Sequence, residues 1–437
     1  MEVLRFKHIF FRSSVRFNGA SQLVLTFLLI PGCLTSDFIA PFFLADDSFL
    51  WGWNAPTESC AVKFRVHLDL SLFSVIGSPK SDAVGQPITL FYIDRLGLYP
   101  YIEKNGTDVN GGVPQAVDLA KTNFETAGKA LMLETLKLGK SLRPKRLWGY
   151  YLFPDCYNHH YTKPDYNGSC FFIEKKRNDE LSWLWNLSTA LFPSIYVNSY
   201  LQSSPLTALF VRNRVEEAIR ISNIPSAKSP LPVFIYTRPV FTDKTSQYLG
   251  QDDLVNTLGE TVALGVTGII MWGSLNLSQS ADSCNQLRNY LTTTLNPYII
   301  NITLAAKMCS QVFCQHQGIC VRKNWNSQDY LHLNPMNLAI ETEKNGEFTI
   351  KGKPTFEDLE ELSKHFRCKC YTNAECPKQV NLKGTHNIYV CASERICINA
   401  TVKSENEIVR SSTSLVLFFL LFLIFFENEC SGIQTRF

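Results

Sequence analysis

Leu147-Trp-Gly-Tyr-Tyr-Leu-Phe153 is a continuous apolar and aromatic run, stopped by Pro154. A strand that is apolar at successive positions, rather than at alternate ones, is buried on both faces. That is the pattern of a parallel sheet covered by helices. Three more runs of this kind occur: Ile88-Thr-Leu-Phe-Tyr-Ile93, Val233-Phe-Ile-Tyr-Thr237 and Gly268-Ile-Ile-Met-Trp272. Segments with helical spacing lie between them. Ala116 to Leu142 sets Leu119, Phe124, Ala127, Leu131, Leu138 and Leu142 near one face, and Leu209 to Ile221 and Asp252 to Leu264 follow. The alternation predicts an α/β fold with a parallel sheet or barrel. Four or five such units fall short of the eight in a complete (β/α) barrel.

The whole composition agrees with a folded chain. Of 437 residues, 45% are hydrophobic and 19% charged, proportions that exclude a disordered protein. Lys and Arg number 42 against 39 Asp and Glu, a formal net charge of +3. This balance excludes a dedicated nucleic-acid binder, which needs a clear basic excess. No apolar run reaches the ~20 residues that span a bilayer, which excludes a multi-pass membrane protein.

The termini and the cysteines indicate an exported protein. Arg5, Lys7, Arg12 and Arg16 precede the apolar core Leu23 to Ile30, and small residues follow from Gly32 to Ser36. Residues 1–35 read as a secretory signal peptide. Fourteen cysteines are present. Apart from Cys33 and Cys430 they form an even set with no paired Cys-x-x-Cys spacing, so disulfides are expected rather than a zinc site. Acceptor triplets for N-glycosylation begin at Asn105, Asn167, Asn186, Asn276, Asn301 and Asn399. Residues 411–437 contain the apolar run Leu415 to Phe426 after the small residues Ser411 to Thr413. This tail reads as a lipid-anchor signal, a short marginal span, or the end of a simply secreted chain.

Seven stretches, in order, resemble the animal hyaluronidase family, and most closely its sperm-surface type. They are Phe49-Leu-Trp-Gly-Trp-Asn-Ala-Pro56, Phe91-Tyr-Ile-Asp-Arg-Leu-Gly-Leu-Tyr-Pro100, Gly111-Gly-Val-Pro-Gln115, Trp148-Gly-Tyr-Tyr-Leu-Phe-Pro-Asp-Cys-Tyr-Asn158, Asn178-Asp-Glu-Leu-Ser-Trp-Leu-Trp185, Phe192-Pro-Ser-Ile-Tyr196 and Gly268 to Gly273. The resemblance implies a distorted TIM-like (β/α) barrel over 43–300 and a disulfide-rich EGF-like module with an insertion over 301–400. It implies endo-hydrolysis of β-1,4 N-acetylglucosaminide bonds in hyaluronan, with chondroitin as a second polymer. The mechanism would be retaining and substrate-assisted, the sugar's own acetamido group attacking. One Glu would act as acid and base, and an Asp two residues earlier would orient the acetamido group. The implied partners are hyaluronan and a membrane reached through the lipid anchor, with no cofactor, no metal and a monomeric state.

The resemblance also implies pairings and a groove. It joins Cys60 to Cys284, Cys156 to Cys170, Cys309 to Cys320, Cys314 to Cys368, Cys370 to Cys376, and Cys391 to Cys397. It sets Tyr92, Tyr151, Asp155, Tyr196, Arg214 and Trp272 along the sugar groove, where rings stack on sugar faces and hydroxyls bond polar groups. Arg214 would take a substrate carboxylate bidentately or serve as a structural ion-pair partner.

One departure is decisive. The family pattern puts an Asp-x-Glu strand after the Gly-Gly-Val-Pro-Gln element, but here Gln115 runs directly into helical sequence. The one Asp-x-Glu of the chain is Asp358-Leu359-Glu360, in a polar stretch read as a solvated helix face. About two βα units are therefore expected to be missing after Gln115, on the order of 60 residues. The barrel would then be incomplete and the catalytic pair absent, with Asp155 the best remaining carboxylate. The alternatives are a catalytically silent surface glycoprotein that binds hyaluronan or the egg coat, and an unstable splice product. Two further features read as bland: Glu174 to Glu180 as a solvated charged loop, and His159-His160 as no metal site, because adjacent residues rarely converge on one ion.

Overall fold

The computed structural model describes residues 49–76, 88–91, 113–144, 146–227, 229–343, 346–371 and 382–404. The expected signal peptide and C-terminal tail, Tyr92, Asn105 and Cys376 lie outside these residues.

The apolar runs form a parallel wall. Its strands are β1 (Leu50–Asn54), β2 (Ser74–Val75), β3 (Ile88–Phe91), β4 (Leu147–Tyr150), β5 (Phe234–Thr237) and β6 (Gly268–Trp272). The order β2-β1-β6-β5 makes one four-stranded sheet, parallel throughout. Single parallel bridges from Leu191 to Val233 and from Ser194 to Tyr236 carry the wall to the segment 191–194, and Tyr151 to Phe192 carries it on to β4. Strand β3 pairs with β4, again parallel. Ser74–Val75 and Ile88–Phe91 are thus the two ends of the wall, with no ladder joining them among the described residues. The fold is α/β. Two glycines allow the close packing: a Cβ on Gly149 would lie 2.3 Å from the Ala190 carbonyl, and one on Gly268 would lie 2.5 Å from that of Leu50.

Helices cover the outer face. Trp51, Trp53, Trp148, Tyr150, Ile235, Ile269 and Met271 are buried there in one core with helical residues such as Val211, Val215 and Ile302. The Trp51 indole donates to Thr303 Oγ1 at 3.0 Å, tying β1 to the helix Asn296–Cys314. The long helix Val113–Leu142 is present, but its inward face differs from the one expected. Met132 and Leu136 are buried, and Tyr150 donates to the Met132 carbonyl at 2.8 Å. Leu131, Leu138 and Leu142 are 53%, 59% and 62% exposed. Spacing alone marks an apolar stripe without saying which stripe has a neighbour to pack on. The charged run is a helix, Phe172–Glu180, rather than a loop, because i,i+3 and i,i+4 pairs such as Arg177–Glu174 support it.

A buried charge cluster joins the wall's helices to the cysteine-rich end. The Glu260 carboxylate receives Arg212 Nε at 2.7 Å and Arg322 Nη2 at 2.9 Å. Arg212 comes from the helix Leu206–Ser222, and Arg322 ends β7 (Gly318–Arg322). Carbonyls of Asn326, Ser327 and Asp329 accept further arginine donors, so the second cation is held by carbonyl dipoles beside the one carboxylate. Beyond it, β8 (Leu338–Thr342) pairs with β9 (Phe348–Gly352), β7 with β10 (Phe366–Cys370), and β11 (Thr385–Ser393) with β12 (Ile396–Lys403), all antiparallel. Five disulfides are described: Cys60–Cys284, Cys156–Cys170, Cys309–Cys320, Cys314–Cys368 and Cys391–Cys397. The first closes a loop of 224 residues, and in the chain-entropy account a loop of that length stabilises by about 5 kcal/mol.

Two predictions follow from this packing. Glu260→Gln should lower the unfolding free energy by about 3–5 kcal/mol, because it leaves two buried guanidinium groups without their anion; urea titration of the secreted protein measures it. Burial pushes the Tyr248 and Tyr330 phenols up to about 12 and that of Tyr290 higher still. Above pH ~10 the unfolded chain loses phenolic protons that the folded chain keeps, so stability falls as pH rises. Thermal midpoints should therefore drop as the pH is raised beyond ~10.

Candidate functional site

A strand points alternate side chains to opposite faces, so positions two apart share a face. The inner face of the wall follows from this count. Gly149 and Tyr151 lie on it, as do Phe192, Ser194 and Tyr196, Phe234 and Tyr236, Ile270 and Trp272, and Gly52 and Asn54. The lower members are closed off. The Phe192 and Phe234 rings stack at 5.8 Å, and a Cβ on Gly52 would meet Ile76 and Ile270. The upper members, at the carboxyl ends of the strands, form a polar and aromatic layer. Tyr236 is buried, and Asn54, Tyr151, Tyr196 and Trp272 are half-buried.

Hydrogen bonds and ring contacts connect this layer. The Tyr151 and Tyr196 hydroxyls lie 2.5 Å apart. Asn54 Nδ2 donates to the Tyr236 hydroxyl at 3.2 Å. The Tyr151 and Tyr236 rings meet edge to face at 4.8 Å, and Tyr196 lies 6.1 Å from Trp272. Burial first, and then the neighbouring Tyr151, push the Tyr196 phenol far above its ordinary value. Tyr196 is therefore a neutral hydroxyl at physiological pH. Either hydroxyl of the Tyr151–Tyr196 pair can be the donor in the bond between them.

Of the residues nominated from sequence, Tyr151, Tyr196 and Trp272 come together here. Arg214 sits behind the layer. Its Nε donates to the Ser194 carbonyl at 2.5 Å, its Nη1 to the Cys156 carbonyl and to Asn158 Oδ1, and its Nη2 to Asp155 Oδ1 at 2.7 Å. It is buried, with its donors taken by the protein. Asp155 also accepts from the Cys156 backbone at 2.8 Å, and its side chain is 55% exposed. Asn178 donates to the Asp155 carbonyl at 2.7 Å and to Glu217 at 2.8 Å, fixing the loop from behind.

Asp358 and Glu360 lie in the helix Phe356–His365, but the expected solvated face holds only for Glu360. Asp358 is buried. It accepts from the Thr355 backbone at 2.8 Å and from Asn334 at 2.7 Å, capping the helix and anchoring a loop. His159 and His160 pack among rings; His160 stacks on Phe171 at 4.6 Å and His159 lies 5.3 Å from Phe210. Asn167, Asn186, Asn276 and Asn399 are exposed, whereas Asn301 is half-buried and accepts from the Leu333 backbone at 3.1 Å.

Sequence reading missed Asn54, Tyr236 and Arg238. The signal was available. Counting by twos past the apolar run Val233 to Thr237 takes the inner row from Tyr236 to Arg238, and the same count past Gly52 reaches Asn54.

The family model for hyaluronidase matches residues 39–122 and 116–380. The chain is 53% identical to human hyaluronidase PH-20 over 476 positions, covering 93% of each chain. It is 49% identical to mouse hyaluronidase-5, covering 93% of this chain and 90% of that one. Bee venom hyaluronidase solved with a hyaluronic acid tetramer is 26% identical at a TM-score of 0.43, covering 57% of this chain and 98% of that one. The chain belongs to the hyaluronidase family of glycoside hydrolases.

Proposed function

We propose that this chain takes hyaluronan into the layer above the parallel wall and hydrolyses it poorly, because the family's acid and its orienting aspartate are absent. One observation carries the reading. Asn54, Tyr151, Tyr196, Tyr236, Arg238 and Trp272 offer rings, hydroxyls, an amide and a guanidinium, and none of them is a carboxylate. Sugar binding needs only the first set. Protonating a glycosidic oxygen needs a carboxylic acid held neutral by its surroundings.

Several observations support a lost segment after Gln115. The alignment with human PH-20 extends over 476 positions although the chain has 437 residues. The family model matches in two pieces whose ends overlap at 116–122. The exposed leucines of the helix Val113–Leu142 fit the loss of an element that packed on them. On this reading the wall is a (β/α) barrel short of a strand. The disulfide-bonded region after it is an EGF-like module, and the protein is glycosylated and exported to the cell surface. The disulfides and the four exposed acceptor asparagines support export.

The test is a reducing-end assay on the secreted full chain beside human PH-20, with binding of hyaluronan oligosaccharides measured in parallel. Turnover should be reduced by about 10²–10⁴-fold or more, the usual worth of a general acid, while binding persists. Inserting an Asp-x-Glu-bearing βα segment between Gln115 and Ala116 should restore turnover. Turnover equal to that of PH-20 without the insertion would overturn the reading. Chain recovered only as aggregates would assign the defect to the fold instead of the chemistry.

A further inference from the structure

Arg238 stands out among the cations near the groove. It is two residues past Tyr236, just beyond the end of β5, and is half-buried. Its guanidinium carbon lies 4.6 Å from the Trp272 ring centroid and 5.6 Å from that of Tyr196. Its Nε is buried with no hydrogen-bond partner, and no hydrogen bond or ion pair of its side chain occurs among the described residues. Arg214 has its donors spread over four oxygens. Arg212 and Arg322 are consumed by Glu260.

Two aromatic rings offset part of a guanidinium's charge but supply no oxygen acceptor, so the Nη edge keeps its donors for a ligand. That edge matches a carboxylate, two parallel N–H donors to two oxygens. The rings that hold it are the ones proposed above to carry sugar. We infer that Arg238 binds the carboxylate of a uronic acid residue, next to the sugar seated at Tyr151, Tyr196 and Trp272. It thereby selects acidic over neutral N-acetylglucosamine-containing polymers. This inference rests on the groove reading, and it assigns the charge preference to a single residue.

The experiment titrates the full chain with a hyaluronan hexasaccharide and with the same oligosaccharide after reduction of its carboxyl groups to alcohols. Wild type should bind the acidic form about 10–100-fold more tightly, the range for a charged hydrogen-bonded pair. Arg238→Met keeps the apolar stem under the rings. It should bind both forms alike, close to the wild-type affinity for the neutral one. Arg238→Lys keeps the charge without the fork and should fall between. Thermal midpoints of both variants establish that they fold. Equal wild-type binding of the two forms, or a preference that survives in both variants, would overturn the assignment to Arg238 and leave the groove reading standing. Folded wild type that binds neither form would remove both.

Discussion

A strand in a wall covered on both faces divides its side chains between two environments, one position after another. The rest of this structure depends on that constraint. The outward positions carry Trp51, Trp53, Trp148, Tyr150, Ile269 and Met271 into the core shared with the helices. The inward positions begin with glycines and phenylalanines that fill the interior and end in Asn54, Tyr151, Tyr196, Tyr236 and Trp272. Filling the lower interior makes the upper layer a floor instead of the bottom of a hole. The same alternation that buries the wall lines up the groups that face a ligand.

The wall has two ends among the described residues, and its stability is supplied from outside the ladder. Cys60–Cys284 joins the helix after β1 to the helix after β6, next to Val66 in a small buried cluster. Glu260 joins Arg212 and Arg322, and so links the helix behind β5 to the first antiparallel strand of the cysteine-rich end. Strand β7 is held in turn: Cys320 faces Cys368 across the β7–β10 ladder, and each is bonded back to the helix Asn296–Cys314. These ties act on the β1-β6-β5 side of the wall, which carries Asn54, Tyr236 and Trp272.

The parallel wall was legible because four buried runs announce themselves by composition, and the helices between them by spacing. The helix Val113–Leu142 shows where that reasoning ends. Its leucines form a stripe, yet the buried face is the one with Met132 and Leu136, because burial is decided by which neighbour exists. Arg214 was legible as a groove candidate through resemblance, but its role depends on where four oxygens lie. No local sequence rule gives the position of the Ser194 and Cys156 carbonyls relative to a helix residue. Asp358 was misread for the same reason. Its capping bond is visible in Thr355-x-x-Asp358, while its burial against Asn334 and Asn337 is tertiary.

The contrast between Arg214 and Arg238 ties the electrostatics to the chemistry. Both stand near Tyr196, and both carry a charge that the medium-dielectric interior makes costly to leave alone. Arg214 is neutralised by Asp155 and by carbonyl dipoles, so it rigidifies the loop that follows β4 and adds little field above the floor. Among the described residues Arg238 is met by the rings of Trp272 and Tyr196, whose quadrupoles offset part of its charge. The floor therefore carries a positive potential at one point, beside rings that suit a sugar. A polymer alternating neutral and acidic sugars would meet that charge at every second residue. It could be held in register by the groove without any carboxylate of the protein taking part. Holding a sugar needs the rings and hydroxyls that alternation lines up on these strands, whereas protonating a glycosidic oxygen needs a carboxylic acid besides.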